Sequence, residues 1–170
     1  VLARVNAASG AVSGAALLQP VNLVAVAKEV TAEMVPAALV QDIDLGYEGA
    51  DEATVSAEPV LLAEVLKNLL SNAIAYAGRG AVVTVRVQQT GGKTVLEVED
   101  NGPGLPAAQA ASAVQPRRGT ARPLPSLGNA PNGTGLGLAI TAEIATLFGA
   151  TVDLLPAHQG SGLRAVVTFT

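Results

Sequence analysis

Three short segments carry the residue types that chemistry on a nucleoside triphosphate would need. Asn68-Leu69-Leu70-Ser71-Asn72 places two side-chain amides four residues apart, on one face of a helix. An amide oxygen is a hard, neutral donor suited to Mg²⁺, an ion that takes one or two protein ligands and leaves the rest to water and phosphate. Glu99-Asp100-Asn101-Gly102-Pro103-Gly104 puts a carboxylate at the end of an alternating strand. Such a carboxylate can accept the exocyclic amine of adenine, while Gly102 and Gly104 let backbone approach a flat base or ribose. Gly133-Thr134-Gly135-Leu136-Gly137-Leu138 opens a helical pattern, and free N–H groups at a helix start hold phosphate. Taken singly, each has an ordinary structural explanation: polar positions on a core helix, a turn after a strand, a glycine hinge.

The elements that must position these segments follow from periodicity. Residues 1–20 read as the end of a helix and a linker. Apolar spacing predicts a helix from Leu23 to Val35, with Pro36 perturbing its end. Gln41 to Tyr47 and Thr54 to Ser56 read as strands. Ser56 reads as a helix start with Glu58 and Pro59 in the first turn, and the helix runs to Tyr76 and stops near Gly78 and Gly80. Ala81 to Gln88 alternates clearly, Thr90-Gly91-Gly92-Lys93 is a hairpin turn, and Thr94 to Glu99 returns. Residues 106–132, rich in Ala, Pro, Gly and Ser, show no sustained period, as expected of a lid, a binding loop or a disordered segment. A last helix is expected from Gly135 to Phe148, closed by Gly149, followed by a hairpin of Thr151 to Leu155 and Leu163 to Thr170. This order implies an α/β two-layer sandwich, with a mixed sheet of about five strands and three helices on one face.

Composition narrows the class. A length of 170 residues suits one domain, or one domain plus a short leader, and 49% hydrophobic residues supply its core. A net charge of −4 argues against a nucleic acid partner. There is no cysteine, so disulfides and thiolate metal sites are excluded, and the single His158 has no second histidine for a zinc site. No apolar run reads as long enough to span a bilayer, so no membrane contact by this stretch is expected. The start Val-Leu-Ala-Arg reads as that of an excised piece without a signal peptide.

In their order and separations, the three segments resemble the N box and the first and second glycine boxes of the catalytic and ATP-binding domain of two-component sensor histidine kinases, within the Bergerat-fold ATPases. The resemblance covers residues 21–170 and makes residues 1–20 the end of a dimerisation helix and its linker. It implies ATP and Mg²⁺ as cofactors, with Asn72 as metal ligand and Asn68 beside it near the phosphates. It implies Asp100 as the adenine-reading carboxylate with Gly102 and Gly104, and Tyr76 as a ring against the adenine. Gly133, Thr134, Gly135, Leu136, Gly137 and Leu138 would hold the phosphates beneath a lid formed by residues 106–132. Arg117, Arg118 and Arg122 fall in that stretch, either to meet the γ-phosphate or as ordinary solvated loop charges.

The implied reaction is transfer of the γ-phosphoryl group to a histidine on a separate dimerisation domain of the same protein, with a response regulator as the next partner. The implied location is the cytoplasmic side of an inner-membrane protein. Hydrolysing relatives carry a Glu one turn before the metal Asn; Asn68 stands there instead, which favours transfer over hydrolysis. Three departures from the family pattern stand out. Ala75 replaces a common Lys or Arg, no phenylalanine falls in the lid, and His158 lies in a turn without the phosphoacceptor's acidic neighbour, as a surface residue. A nucleotide-binding module without phosphotransfer, and an ATP hydrolase using Glu64, are the two alternatives.

Overall fold

The computed structural model describes residues 18–104 and 136–170. Among the described residues, seven strands and three helices follow in chain order: β1 (Gln19–Asn22), α1 (Leu23–Val40), β2 (Asp44–Gly49), β3 (Thr54–Ala57), α2 (Pro59–Ala77), β4 (Val82–Thr90), β5 (Lys93–Asp100), α3 (Leu136–Leu147), β6 (Ala150–Pro156) and β7 (Leu163–Phe169). The main sheet has five strands in the order β2-β4-β5-β7-β6. Only the β2–β4 pair is parallel, so the sheet is mixed, as expected.

Alternation sorts each strand's side chains between two environments. In register, Val83, Val85 and Val87 of β4 stand opposite Asp100, Val98 and Leu96 of β5. Leu96 and Val98 in turn stand opposite Val167 and Ala165 of β7. All of these are buried, and with Leu62, Val65, Leu66, Leu69 and Leu70 of α2 and Ile144, Ala145 and Phe148 at the end of α3 they form one core. The helices cover this inner face. By length and composition α2 is apolar enough to cross a membrane, contrary to the sequence reading, but its apolar residues are the centre of this core.

The outer face of the sheet is polar and ionic. Arg86 of β4 binds Glu97 of β5 at 2.5 Å and also pairs with Glu48 of β2. Arg164 of β7 reaches the same Glu97 at 3.3 Å. His158, in the β6–β7 turn, lies with Nε2 at 2.9 Å from Glu97 Oε1.

Local signals explain the ends of the elements. Asn22 both finishes β1 and caps α1, its Oδ1 accepting from the Val24 and Ala25 N–H groups at 3.1 and 3.3 Å. The cap of α2 is Glu58 rather than Ser56: its Oε2 accepts from Leu61 N at 2.8 Å, with Pro59 in the first turn. Ser56 is instead part of β3, because the strand must continue to Ala57 to bury that side chain fully. The first helix runs five residues past the expected end at Val35, through Pro36. Ala32 and Pro36 are both exposed, so the carbonyl that proline leaves without an N–H partner faces water.

The unforeseen element is β1. Gln19 and Pro20, expected in a linker, pair with Ala57 and Ser56 of β3 in a separate two-stranded sheet. Val21 and Val55 stand opposite each other there and turn into the core. The helix expected before residue 18 and the lid at 106–132 lie outside the described residues.

Candidate functional site

Asn68, Asn72 and Tyr76 recur every four residues along α2 and form a half-buried stripe between its core face and solvent. Val65, Leu66, Leu69 and Leu70 anchor the helix in the core and so fix where the stripe points. Among the described residues, neither amide makes a side-chain hydrogen bond. The hydroxyl of Tyr76 is fully buried and has no hydrogen-bond partner among them. Burial pushes its phenol above the ordinary pKa. Such an orphaned oxygen is unusual, and the two unengaged amides on the same helix face leave donors and acceptors for a polar ligand. Glu64, one turn before Asn68, is exposed.

Asp100 ends β5 on the inner face and is only 7% exposed. Its carboxylate accepts the Gly102 N–H at 2.9 Å, and the Leu163 N–H lies near enough to favour its charged form. Burial lifts its pKa above the ordinary 3.8; the two N–H donors oppose that rise and neighbouring Glu99 adds to it. Asn101 ties the same turn to β4, its Oδ1 accepting from Val82 N at 2.8 Å and its N–H donating to Val82 O at 3.2 Å.

Gly102 brings this turn against the end of α2. A Cβ there would stand 2.6 Å from the Ala77 carbonyl oxygen and 2.7 Å from its Cα, contacts too short for any side chain. The carboxylate turn therefore abuts the residue next to Tyr76. On its other side, a Cβ on Gly104 would stand 2.9 Å from the carbonyl oxygen of Gly162, and one on Gly162 would overlap the Asp100 carbonyl oxygen. Sequence reasoning singled out Asp100, Gly102 and Gly104 but not their supports, Ala77, Gly162 and Leu163. Gly160-Ser161-Gly162 signalled a turn, yet nothing in the sequence tied that turn to Asp100.

The third segment is only partly described. Gly133, Thr134 and Gly135, together with Arg117, Arg118 and Arg122, lie outside the described residues. Leu136 and Gly137 are helical, in the first turn of α3. The Leu138 side chain is 4% exposed and belongs to the core, so any ligand contact it makes is through backbone. On the outer face, Glu97, Glu99 and His158 hold three possible metal-ligand atoms within 4.8 Å of one another. Glu97 is already engaged by two guanidinium groups, so this cluster is an ion-pair network.

A mixed sheet covered by helices on one face, with an amide-bearing helix abutting a carboxylate turn, defines an α/β nucleotide-binding fold of the Bergerat class. The family of histidine kinase-, DNA gyrase B- and HSP90-like ATPases matches residues 57–170, and the chain belongs to it. Its relatives within that family are sensor histidine kinases. Sensor protein kinase PmrB of Pseudomonas aeruginosa is 34% identical over 157 residues, which is 91% of this chain and 32% of PmrB. The chain thus spans about a third of that relative's length.

Two solved proteins have the same fold. The nucleotide-free catalytic domain of histidine kinase ThkA superposes with a TM-score of 0.73 at 22% identity, covering 89% of this chain and 94% of that one. Full-length ShkA in complex with AMPPNP gives a TM-score of 0.73 at 22% identity, covering 89% of this chain and 30% of ShkA. ThkA has also been solved in complex with the response regulator protein TrrA, with a TM-score of 0.66 at 18% identity over 89% of this chain and 41% of that one.

Proposed function

We propose that this chain is the ATP-binding catalytic domain of a sensor histidine kinase, and that it delivers the γ-phosphoryl group of Mg²⁺-ATP to a histidine on a dimerisation domain of the same, longer protein. The observation that carries this reading is the buried Asp100 carboxylate, favoured in its charged form by two backbone N–H groups and pressed against the end of α2, in a chain of this ATPase family. Asp100 accepts the exocyclic amine of adenine, and the Tyr76 ring lies against the base. Asn72, with Asn68 beside it, supplies amide oxygens for Mg²⁺; these hard, neutral donors fit an ion that keeps most of its shell for phosphate and water. When bound, the ion neutralises phosphate charge. The segment Gly133 to Leu138 holds the phosphates through backbone N–H groups at the start of α3, and Arg117 and Arg118 act on the γ-phosphate from the 106–132 lid.

Phosphoryl transfer asks chiefly for positioning and charge stabilisation. The half-buried position one turn before Asn72 is Asn68, which cannot act as a general base toward water. Glu64, a further turn back, is exposed and faces away from the core. Both favour transfer over hydrolysis. The histidine-bearing partner and a response regulator follow from the kinase reading, supported by the ThkA complex with TrrA. In this reading the whole protein belongs at the inner membrane, with this domain on the cytoplasmic side, which its likeness to sensor kinases supports.

Incubation with radiolabelled ATP and the protein's own dimerisation domain tests the reading: rapid labelling of a histidine on that domain is expected. Ala75, exposed on α2 where a family cation would reach phosphate, favours a second reading, a nucleotide-binding module without transfer. Tight ATP binding with no labelling would establish that instead.

A further inference from the structure

The carboxylate proposed to read adenine is held from behind by the β6–β7 turn, and that turn is tied down by groups on the opposite face of the sheet. On the inner side, Gly162 packs on the Asp100 carbonyl oxygen, and the Leu163 N–H beside it lies near enough to the Asp100 carboxylate to favour its charged form. On the outer side, the His158 N–H donates to Glu99 Oε2 at 2.7 Å, and His158 Nε2 lies 2.9 Å from Glu97 Oε1. Glu97 and Glu99 flank Val98, and Glu99 immediately precedes Asp100 on β5. One strand therefore grips the turn from its outer face and faces the turn's N–H on its inner face.

Packing does not fix the turn on the outer side. A cavity of about 470 Å³ opens there, its walls including Thr84, Arg86, Glu99, Asn101, His158 and Gln159. The β5–β7 ladder sets the start of β7, and polar links hold the tip of the turn to the strand; His158 supplies two of them. Arg164 adds one more, donating from Nη1 to Glu97 at 3.3 Å, and braces the hairpin itself by donating from Nε to Pro156 O at 2.9 Å.

We infer that His158 is a positioning residue for base selection: by clasping Glu97 and Glu99 it holds the β6–β7 turn so that Leu163 N–H aims the Asp100 carboxylate at a purine's exocyclic amine. This rests on the proposed ATP reading and adds a specificity-determining residue to it. The residue touches no nucleotide. Its effect therefore falls on discrimination between nucleotides rather than on general affinity. Gln in its place keeps a donor near Glu97, whereas Ala keeps only the backbone link to Glu99.

Calorimetric titration of the chain and its variants with ATP, and with a purine nucleoside triphosphate lacking the exocyclic amine, tests this. His158→Ala is expected to weaken ATP by about three- to tenfold, the loss of one well-placed hydrogen bond, and to leave the amine-free nucleotide unchanged. His158→Gln is expected to restore ATP affinity. Equal weakening of both nucleotides, or no loss for ATP, would overturn the inference. Asp100→Asn is titrated in parallel. If it discriminates between the nucleotides and His158→Ala does not, the role of His158 alone fails; if Asp100→Asn does not discriminate either, base reading by Asp100 fails with it. A circular-dichroism melt of each variant excludes global unfolding as the cause of any loss.

Discussion

Gly102 lies so close to Ala77 that a Cβ on it would stand 2.6 Å from the Ala77 carbonyl oxygen. The carboxylate turn after β5 and the last turn of α2 are thus joined backbone to backbone, with no side chain to yield between them. Gly102→Ala must push the two elements apart, and overpacking of this kind costs about 1–3 kcal/mol. The displacement falls between Asp100 and Tyr76, so nucleotide affinity should fall along with stability. Urea denaturation and ATP titration of the same variant check both; a stable variant with unchanged affinity would show that the two elements move independently.

Burial makes the charged form of Asp100 costly to the fold. Its folded-state pKa is raised, so its contribution to stability is present below the ordinary value of 3.8 and is lost as pH rises through the higher folded value. Asp100→Asn keeps an oxygen for the Gly102 and Leu163 donors and removes the buried charge. It should melt higher than the parent at pH 7, and the difference should shrink in acid. The same substitution should weaken ATP by about tenfold or more, because a hydrogen bond to a charged acceptor is lost. A lower melting temperature at pH 7 would show that the charge is compensated.

The alternating valines of β4, the Gly91-Gly92 turn and the glycine after α3 were legible because each rests on a local rule of spacing or backbone freedom. The same holds for Asp100, whose place at a strand end follows from the pattern before it. What could not be read is non-local. β1 is four residues long and includes a proline, so it has no periodicity of its own; it exists because Val21 finds Val55 thirty-four positions away. The support of Asp100 by Leu163 likewise depends on β7 pairing with β5, a register set by core packing. His158 reads as a lone surface histidine until the sheet brings Glu97 and Glu99 beneath it.

If Asn72 is the metal ligand, its loss should abolish the Mg²⁺-dependent part of ATP affinity and spare the rest. Titrations of the parent and of Asn72→Ala, each with Mg²⁺ and with a chelator, separate the two parts. The parent should bind more weakly under chelation, and the variant should bind equally under both conditions. Asn72 is half-buried on a helix anchored by Leu69 and Leu70, and alanine favours helix, so the fold should be preserved. Retention of a Mg²⁺ response would move the metal site elsewhere.

Glu97 is a carboxylate with 7% of its side chain exposed, and its shortest ionic contact is Arg86 Nη1 at 2.5 Å. Removing one partner of a buried pair leaves an uncompensated charge, at a cost of about 3–5 kcal/mol. Arg164 and His158 remain beside Glu97, so Arg86→Met should fall below that range, at about 2 kcal/mol. Replacing both, in Arg86→Met/Glu97→Met, removes the stranded charge and should recover most of the loss, since apolar pairs of similar volume are tolerated at such sites. Urea denaturation of the two single variants and the double variant forms a closed cycle. A strong favourable coupling is the expected result. A loss of less than about 0.5 kcal/mol for Arg86→Met would assign the network the small worth of exposed surface pairs.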